Sequence, residues 1–134
     1  MLRLAAAADL PRLMAIRDRS GPDALSDPAA VAEDLLRRLI AAGAVTVCEE
    51  DGAIAGFAAI DGGAIHLLVD PAQRSRGIGR ALLAAACVAL KDAGAGAATL
   101  TLAPQSRAER HYRAAGWSEI GRGASNGLVL KKPL

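Results

Sequence analysis

The apolar positions change period several times along the chain, and each change marks a predicted element. Leu2–Ala5 reads as a short first strand. From Ala8 to Arg19, the positions Leu10, Leu13, Met14 and Arg17 recur at helical spacing, and Asp9 and Pro11 suit a first turn. Ser20-Gly21-Pro22-Asp23 breaks that helix. Asp27-Pro28 opens a second one with a cap residue before proline, and Val31, Leu35, Leu36, Leu39 and Ile40 carry its stripe to Gly43. The runs Ala44–Glu49 and Ala53–Ile60 are strand-like and are joined by Glu50-Asp51-Gly52, a hairpin signal. Asp61-Gly62-Gly63 turns into a third apolar strand, Ala64–Val69, so this stretch predicts an antiparallel meander.

A helical period returns over Gly77–Ala93. Ile78, Leu82, Ala86, Ala89 and Ala93 form one stripe, Leu83, Cys87 and Leu90 widen it, and Gly94–Gly96 end it. Ala98–Ala103 alternates Thr99 and Thr101 with Leu100 and Leu102, and Pro104 closes that strand. Gln105–Ala115 predicts a short helix ended by Gly116. Trp117–Gly121 and Leu128–Leu130 are the last two strands, around the turn-rich Arg122–Gly127. The order β-α-α-β-β-β-α-β-α-β-β predicts a mixed α/β (α+β) fold.

Composition narrows this picture. At 134 residues and 52% hydrophobic, the chain suits one domain over residues 1–134 with a real core, and is too apolar to be largely disordered. A net charge of +2 gives no general pull towards nucleic acid or a membrane surface. Alanine makes up roughly a quarter of the chain, well above ordinary usage, and is read as compositional bias. The longest apolar run, Ala81–Leu90, is about half of the roughly 20 residues a membrane span needs. Asp9 and Pro11 interrupt the apolar start too early for a signal core, so a cytoplasmic location is expected. Cys48 and Cys87 lie in apolar stretches and predict buried, reduced thiols. His66 and His111 are isolated and the cysteines are far apart, which predicts no metal site.

The chemically informative stretch runs from Leu67 to Leu83. A strand leads through Asp70-Pro71 into Arg74-Ser75-Arg76-Gly77-Ile78-Gly79-Arg80, and a helix begins at once. A helix start exposes unpaired backbone N–H groups and the positive end of the macrodipole. Gly77 and Gly79 let a ligand approach that backbone, and Arg74, Arg76 and Arg80 add charge, a combination suited to a pyrophosphate. The Gly-x-x-x-x-Gly-Lys-Ser/Thr phosphate loop is absent. The dinucleotide pattern Gly-x-Gly-x-x-Gly fails because Leu82 stands where the third glycine belongs. An ordinary turn with solubilising arginines is the plain alternative.

Val69-Asp70-Pro71 followed by Arg74-Ser75-Arg76-Gly77-Ile78-Gly79 resembles the acetyl-CoA signature of the GCN5-related N-acetyltransferases (GNAT superfamily), Arg/Gln-x-x-Gly-x-Gly/Ala. Gln105-x-x-Ala108-x-x-His111-Tyr112-x-x-x-Gly116-Trp117 is similar to the family's downstream helix, usually Asn-x-x-Ala-x-x-Phe-Tyr followed by Gly-Phe. The spacing of the two motifs and the strand order also match. The resemblance implies the GNAT fold, a mixed central sheet of about six to seven strands with four helices.

It also implies roles. In this family the strand before the motif is bulged and its backbone binds the pantetheine arm of acetyl-CoA as an added strand. That role would fall on Leu67, Leu68 and Val69, with the pyrophosphate on Arg74, Ser75, Arg76, Gly77, Ile78, Gly79 and Arg80. Tyr112 matches the tyrosine that protonates the departing coenzyme A thiolate as general acid; as the only tyrosine it could equally anchor the core. Gln105 stands where asparagine is usual, and its contact would be to the arm. His111 replaces an aromatic and would reach cofactor or substrate, or stay half exposed on its helix. Many members carry a glutamate base at what is Gly63 here. Its absence leaves His66 on the same strand, or Glu49 or Glu50 through water, or solvent alone. Strand alternation does not say which face His66 takes.

The function so implied is transfer of an acetyl group from acetyl-CoA to a primary amine, small molecule or peptide, by direct attack. Acceptor recognition would come from Ser20–Pro28 and Gly121–Gly127. Asp18, Asp23, Asp27, Glu33 and Asp34 make the first region acidic, which suits a cationic acceptor. A non-catalytic acyl-CoA-binding or sensor module is the second class, and a nucleotide-binding regulatory domain the third. The exposed final strands offer a homodimer contact.

Overall fold

The computed structural model describes residues 1–73, 76–123 and 126–134. Seven strands form one mixed sheet: β1 (Leu2–Leu4), β2 (Val45–Glu50), β3 (Ala53–Asp61), β4 (Ala64–Val69), β5 (Ala97–Leu102), β6 (Ser118–Arg122) and β7 (Leu128–Pro133). Their order across the sheet is β1-β2-β3-β4-β5-β7-β6, antiparallel throughout except for β4 beside β5. The helices are α1 (Leu10–Arg19), α2 (Glu33–Ala41), α3 (Ile78–Asp92) and α4 (Arg107–Ala114). Among the described residues, no helix is long and apolar enough to cross a membrane.

The meander forms as the turn residues predict, with Asp51 and Gly52 both at positive φ in the β2–β3 hairpin. Gly56 is required where β3 passes β4 and α3. A Cβ there would stand 2.9 Å from the Leu68 carbonyl oxygen and 3.2 Å from Leu82 Cδ1. The two sheet faces carry separate cores. Ile65, Leu67 and Val69 of β4 join Ile78, Leu82, Ala86 and Leu90 of α3, with Tyr112 and Trp117, on one face. Leu68 turns the other way, to Leu13 and Ile16 of α1 and Leu36, Leu39 and Ile40 of α2.

Three predicted boundaries shift for local reasons. The helix expected from Pro28 is interrupted: Asp27 caps a single 3-10 turn, Pro28–Ala30, through the Ala29 N–H, and Val31 leaves helical geometry before α2 begins. The Val31 carbonyl instead accepts from Arg17 at 3.0 Å, and its side chain is buried. The helix expected from Gln105 begins two residues later, because Gln105 has φ +59° and Ser106 caps α4 by accepting from the Glu109 N–H. The last strand extends to Pro133, since it lies between β5 and β6 and pairs with both.

β4 itself is not bulged. Its pairing with β3 runs without a shift from Ala64 to Val69, and the irregularity falls between β2 and β3, at Cys48/Glu49. The opening in the sheet arises on the other side of β4. Its ladder to β5 holds one pair, Ala64 with Thr99, and the strands then diverge.

Candidate functional site

The divergence leaves backbone groups of β4 facing a gap. Leu67 uses neither its N–H nor its C=O in the β3 ladder, since both meet the Ser26 hydroxyl instead. Strand alternation gives Val69 the same orientation, while Leu68 points its backbone groups towards β3. A cavity of about 440 Å³ lies over this edge on the α3/α4 face. Its lining includes Leu67, Val69, Gly77, Ile78, Gly79, Arg80, Leu83, His111 and Tyr112.

At one end of the cavity α3 begins. Gly77 takes φ +76°, a left-handed conformation, and no side chain among the described residues caps the helix. The first helical bond there among the described residues runs from the Ala81 N–H to the Gly77 carbonyl, and the N–H groups of Ile78, Gly79 and Arg80 precede it without a partner among those residues. Those three donors and the helix dipole favour an anion. Arg76 and Arg80 are exposed beside them. Arg74 and Ser75, which belong to the same predicted run, lie outside the described residues.

The approach to this helix is held by Asp70, which is 3% exposed. Its carboxylate accepts from Arg12 at 2.7 Å, from Arg19 at 3.3 Å and from the Ala72 N–H at 3.0 Å. Burial alone would raise the Asp70 carboxyl. The Arg12 and Ala72 hydrogen bonds and the nearby arginine charges outweigh it and hold the group below its ordinary value. Arg12 also donates twice to the Ile54 carbonyl. Sequence reasoning passed over these three residues as a turn and two helix positions.

Tyr112 closes the far side. It is buried, and its ring meets Trp117 edge-on at 5.6 Å between centroids. Its hydroxyl donates to the Leu25 carbonyl at 2.8 Å. Burial pushes the phenol's pKa up, so it stays protonated at neutral pH. Tyr112 thus belongs to the core and also lines the cavity.

Other predicted residues are placed apart. His66 sits on β4 between Ile65 and Leu67, so it faces α1 and α2, across the sheet from Tyr112. Burial lowers its pKa, against the opposing pull of Asp61 and Asp27, and favours the neutral imidazole. Gln105 is exposed in the turn before α4, bonded through its own N–H to Glu109, and does not line the cavity. Arg76 does not line it either. His111 is exposed but does line it. Glu49 is paired with Arg3 at 3.1 Å and Glu50 with the N-terminal ammonium at 3.5 Å, both two strands away from β4.

The acidic residues of the first region do not pool into a patch. Asp18 pairs with Arg17, and Glu33 and Asp34 pair with Arg37. Asp23 accepts from the Arg107 N–H, and Asp27 caps its own turn. A second hollow of about 460 Å³ opens by the α1–α2 loop, lined by Ser20, Pro22, Ser26, Asp27, Leu102, Pro104 and Gly127 among others. Among the described residues, Asp27 is the one acid in that lining.

The family model described as an acetyltransferase (GNAT) domain matches residues 19–130. No curated protein matches the sequence. Among solved structures, the chain is similar to the PaiA N-acetyltransferase of Thermoplasma acidophilum in complex with coenzyme A. Identity is 16%, with a TM-score of 0.78 over 100% of this chain and 98% of that one. A ribosomal-protein-alanine N-acetyltransferase from Brucella melitensis is 21% identical, with a TM-score of 0.76 over 100% of this chain and 99% of the other. The yncA protein of Salmonella typhimurium, solved with acetyl-CoA, is 22% identical, with a TM-score of 0.73 over 100% and 93%. These likenesses concern the fold, whereas the family match covers most of the sequence. On that match the chain belongs to the GNAT family of acetyltransferases.

Proposed function

We propose that residues 1–134 act as one N-acetyltransferase domain that moves an acetyl group from acetyl-CoA to a primary amine. The observation that carries this reading is the single cavity that runs from the start of α3 at Ile78, Gly79 and Arg80, along the edge of β4 that faces the gap, to Tyr112. Several solved structures of the same fold contain coenzyme A or acetyl-CoA.

In this reading the start of α3 holds the pyrophosphate, with Arg74, Ser75, Arg76 and Arg80 beside it. The backbone groups of Leu67 and Val69 hold the pantetheine arm. The acceptor approaches through the hollow at Asp27, on the opposite side of the loop. Its nitrogen attacks the thioester carbon; the C–N bond forms and the C–S bond breaks. Backbone N–H donors of β4 would stabilise the carbonyl oxygen as it gains charge. Tyr112 gives its proton to the sulfur, and the amine's surplus proton leaves to His66 or to water. The lowered pKa of His66 keeps it a proton acceptor at neutral pH.

Gly63, in the turn just before β4, favours a second reading, an acyl-CoA-binding module without turnover, because it brings no carboxylate there. Either reading requires cofactor binding. Calorimetry with acetyl-CoA, using ATP and NAD as controls, tests it directly. The wild type should bind acetyl-CoA selectively, and Gly79→Trp should not, since even a Cβ at Gly79 points at Leu25 and Val69. Absence of binding by folded, ligand-stripped wild type would sink both readings.

A further inference from the structure

The α1–α2 loop enters the gap between the diverging strands. Ser26, 1% exposed, accepts the Leu67 N–H at 2.8 Å and donates to the Leu67 carbonyl at 3.0 Å. The next residue crosses to the other strand, the Asp27 N–H donating to the Thr101 carbonyl at 2.7 Å. The preceding residue, Leu25, gives its carbonyl to the Tyr112 hydroxyl. Its side chain presses on α3 so closely that a Cβ at Gly79 would stand 2.5 Å from Leu25 Cδ1. The loop thereby fills the sheet opening and touches both ends of the cavity.

We propose that Ser26 and Leu25 set the affinity of the site for acyl-CoA by occupying the place of its thioester arm. The inference rests on the reading that the arm lies along β4. A secondary amide of the arm offers one donor and one acceptor, which is what the Ser26 hydroxyl presents to Leu67. The two compete for the same backbone groups, so the arm binds only when Ser26 withdraws. Withdrawal also takes the Leu25 carbonyl from Tyr112 and frees its proton for the sulfur. The apparent dissociation constant is then the intrinsic one divided by the fraction of molecules with the loop withdrawn.

Ser26→Ala isolates this competition. It strips the Leu67 N–H and C=O of their partner in the closed loop, and removes nothing from the form in which the arm supplies one. Coenzyme A should bind the variant about tenfold more tightly than it binds wild type. The control ligand is adenosine 3′-phosphate 5′-diphosphate, which has the nucleotide end and no arm; its affinity should not change. Leu25→Ala should also tighten coenzyme A binding, and it carries the test if Ser26→Ala does not fold. Unchanged coenzyme A affinity in folded variants would overturn the proposal while leaving the cofactor reading intact. An equal gain for the armless ligand would overturn the assignment to the arm. Failure of folded wild type and variants alike to bind coenzyme A would instead remove the reading on which the proposal rests.

Discussion

Replacing Asp70 by asparagine keeps the side chain's shape and removes its charge. In the native arrangement one carboxylate oxygen accepts from Arg12 and Arg19 and the other from the Ala72 N–H. An asparagine has one acceptor oxygen, so either the arginines or the Ala72 N–H would face an amide NH₂. Breaking a fully buried ion pair costs about 3–5 kcal/mol because the surviving charge is stranded. Here the Arg12 and Arg19 side chains are 35% and 54% exposed, and Arg12 keeps its bonds to the Ile54 carbonyl. Water therefore screens the survivors, and the expected loss is about 2 kcal/mol at neutral pH.

The pH dependence gives the sharper check. The native carboxyl titrates below its ordinary value of 3.8. Its contribution is therefore fully present above that value and is lost as pH falls through the native one. Urea unfolding of wild type and Asp70→Asn should show a gap of about 2 kcal/mol near neutral pH, narrowing as pH falls below 3.8. A gap that stayed constant on acidification would refute the electrostatic argument and assign the loss to packing. The variant should also weaken acetyl-CoA binding, because the Ala72 contact shapes the turn that delivers the chain to α3.

Tyr112→Phe should lower turnover about 10²- to 10⁴-fold while leaving coenzyme A binding at least as tight, by stopped-flow thiol release and calorimetry. Unchanged turnover would remove Tyr112 as the acid. His66→Gln should abolish the acidic limb of the kcat/KM profile, a limb that lies below the ordinary histidine value of 6.5 because burial lowers the native pKa. In stability the sign is the same: the neutral imidazole's contribution is present above 6.5 and is lost as pH falls through the lowered value. Gly56→Ala should destabilise by about 2 kcal/mol in thermal unfolding, since two of its three close neighbours are backbone atoms of Leu68 and Val69 that cannot turn aside. Ser106→Ala should cost about 1 kcal/mol through the lost cap of α4.

The elements and their order were legible because each rests on short-range pattern. The Ile78-Leu82-Ala86 stripe places α3 on the sheet, and all three are buried there. The run of N–H groups at Ile78, Gly79 and Arg80 follows from glycine and helix position alone. What escaped the sequence depends on distant partners. Val31 leaves its predicted helix because Arg17 takes its carbonyl. Asp70 is a buried anion only because residues 58 and 51 positions away meet it. Ser26 was read as part of an acceptor loop, and nothing local says that its hydroxyl would meet Leu67, 41 residues on. The face taken by His66 was undecidable from alternation; it follows once Leu67 is seen to join the α3 core.

The edge-on contact of Tyr112 with Trp117 has an optical consequence. These are the chain's only tyrosine and tryptophan; both are buried, and Tyr112 lines the cavity. Excitation absorbed by the phenol passes readily to an indole this near, and the indole's emission colour reports the polarity around it. Every indole photon therefore comes from one address, edge-on to the ring whose hydroxyl donates to Leu25. The protein carries its own fluorescent gauge of whether that hydroxyl is engaged, and loop withdrawal can be timed without attaching a dye.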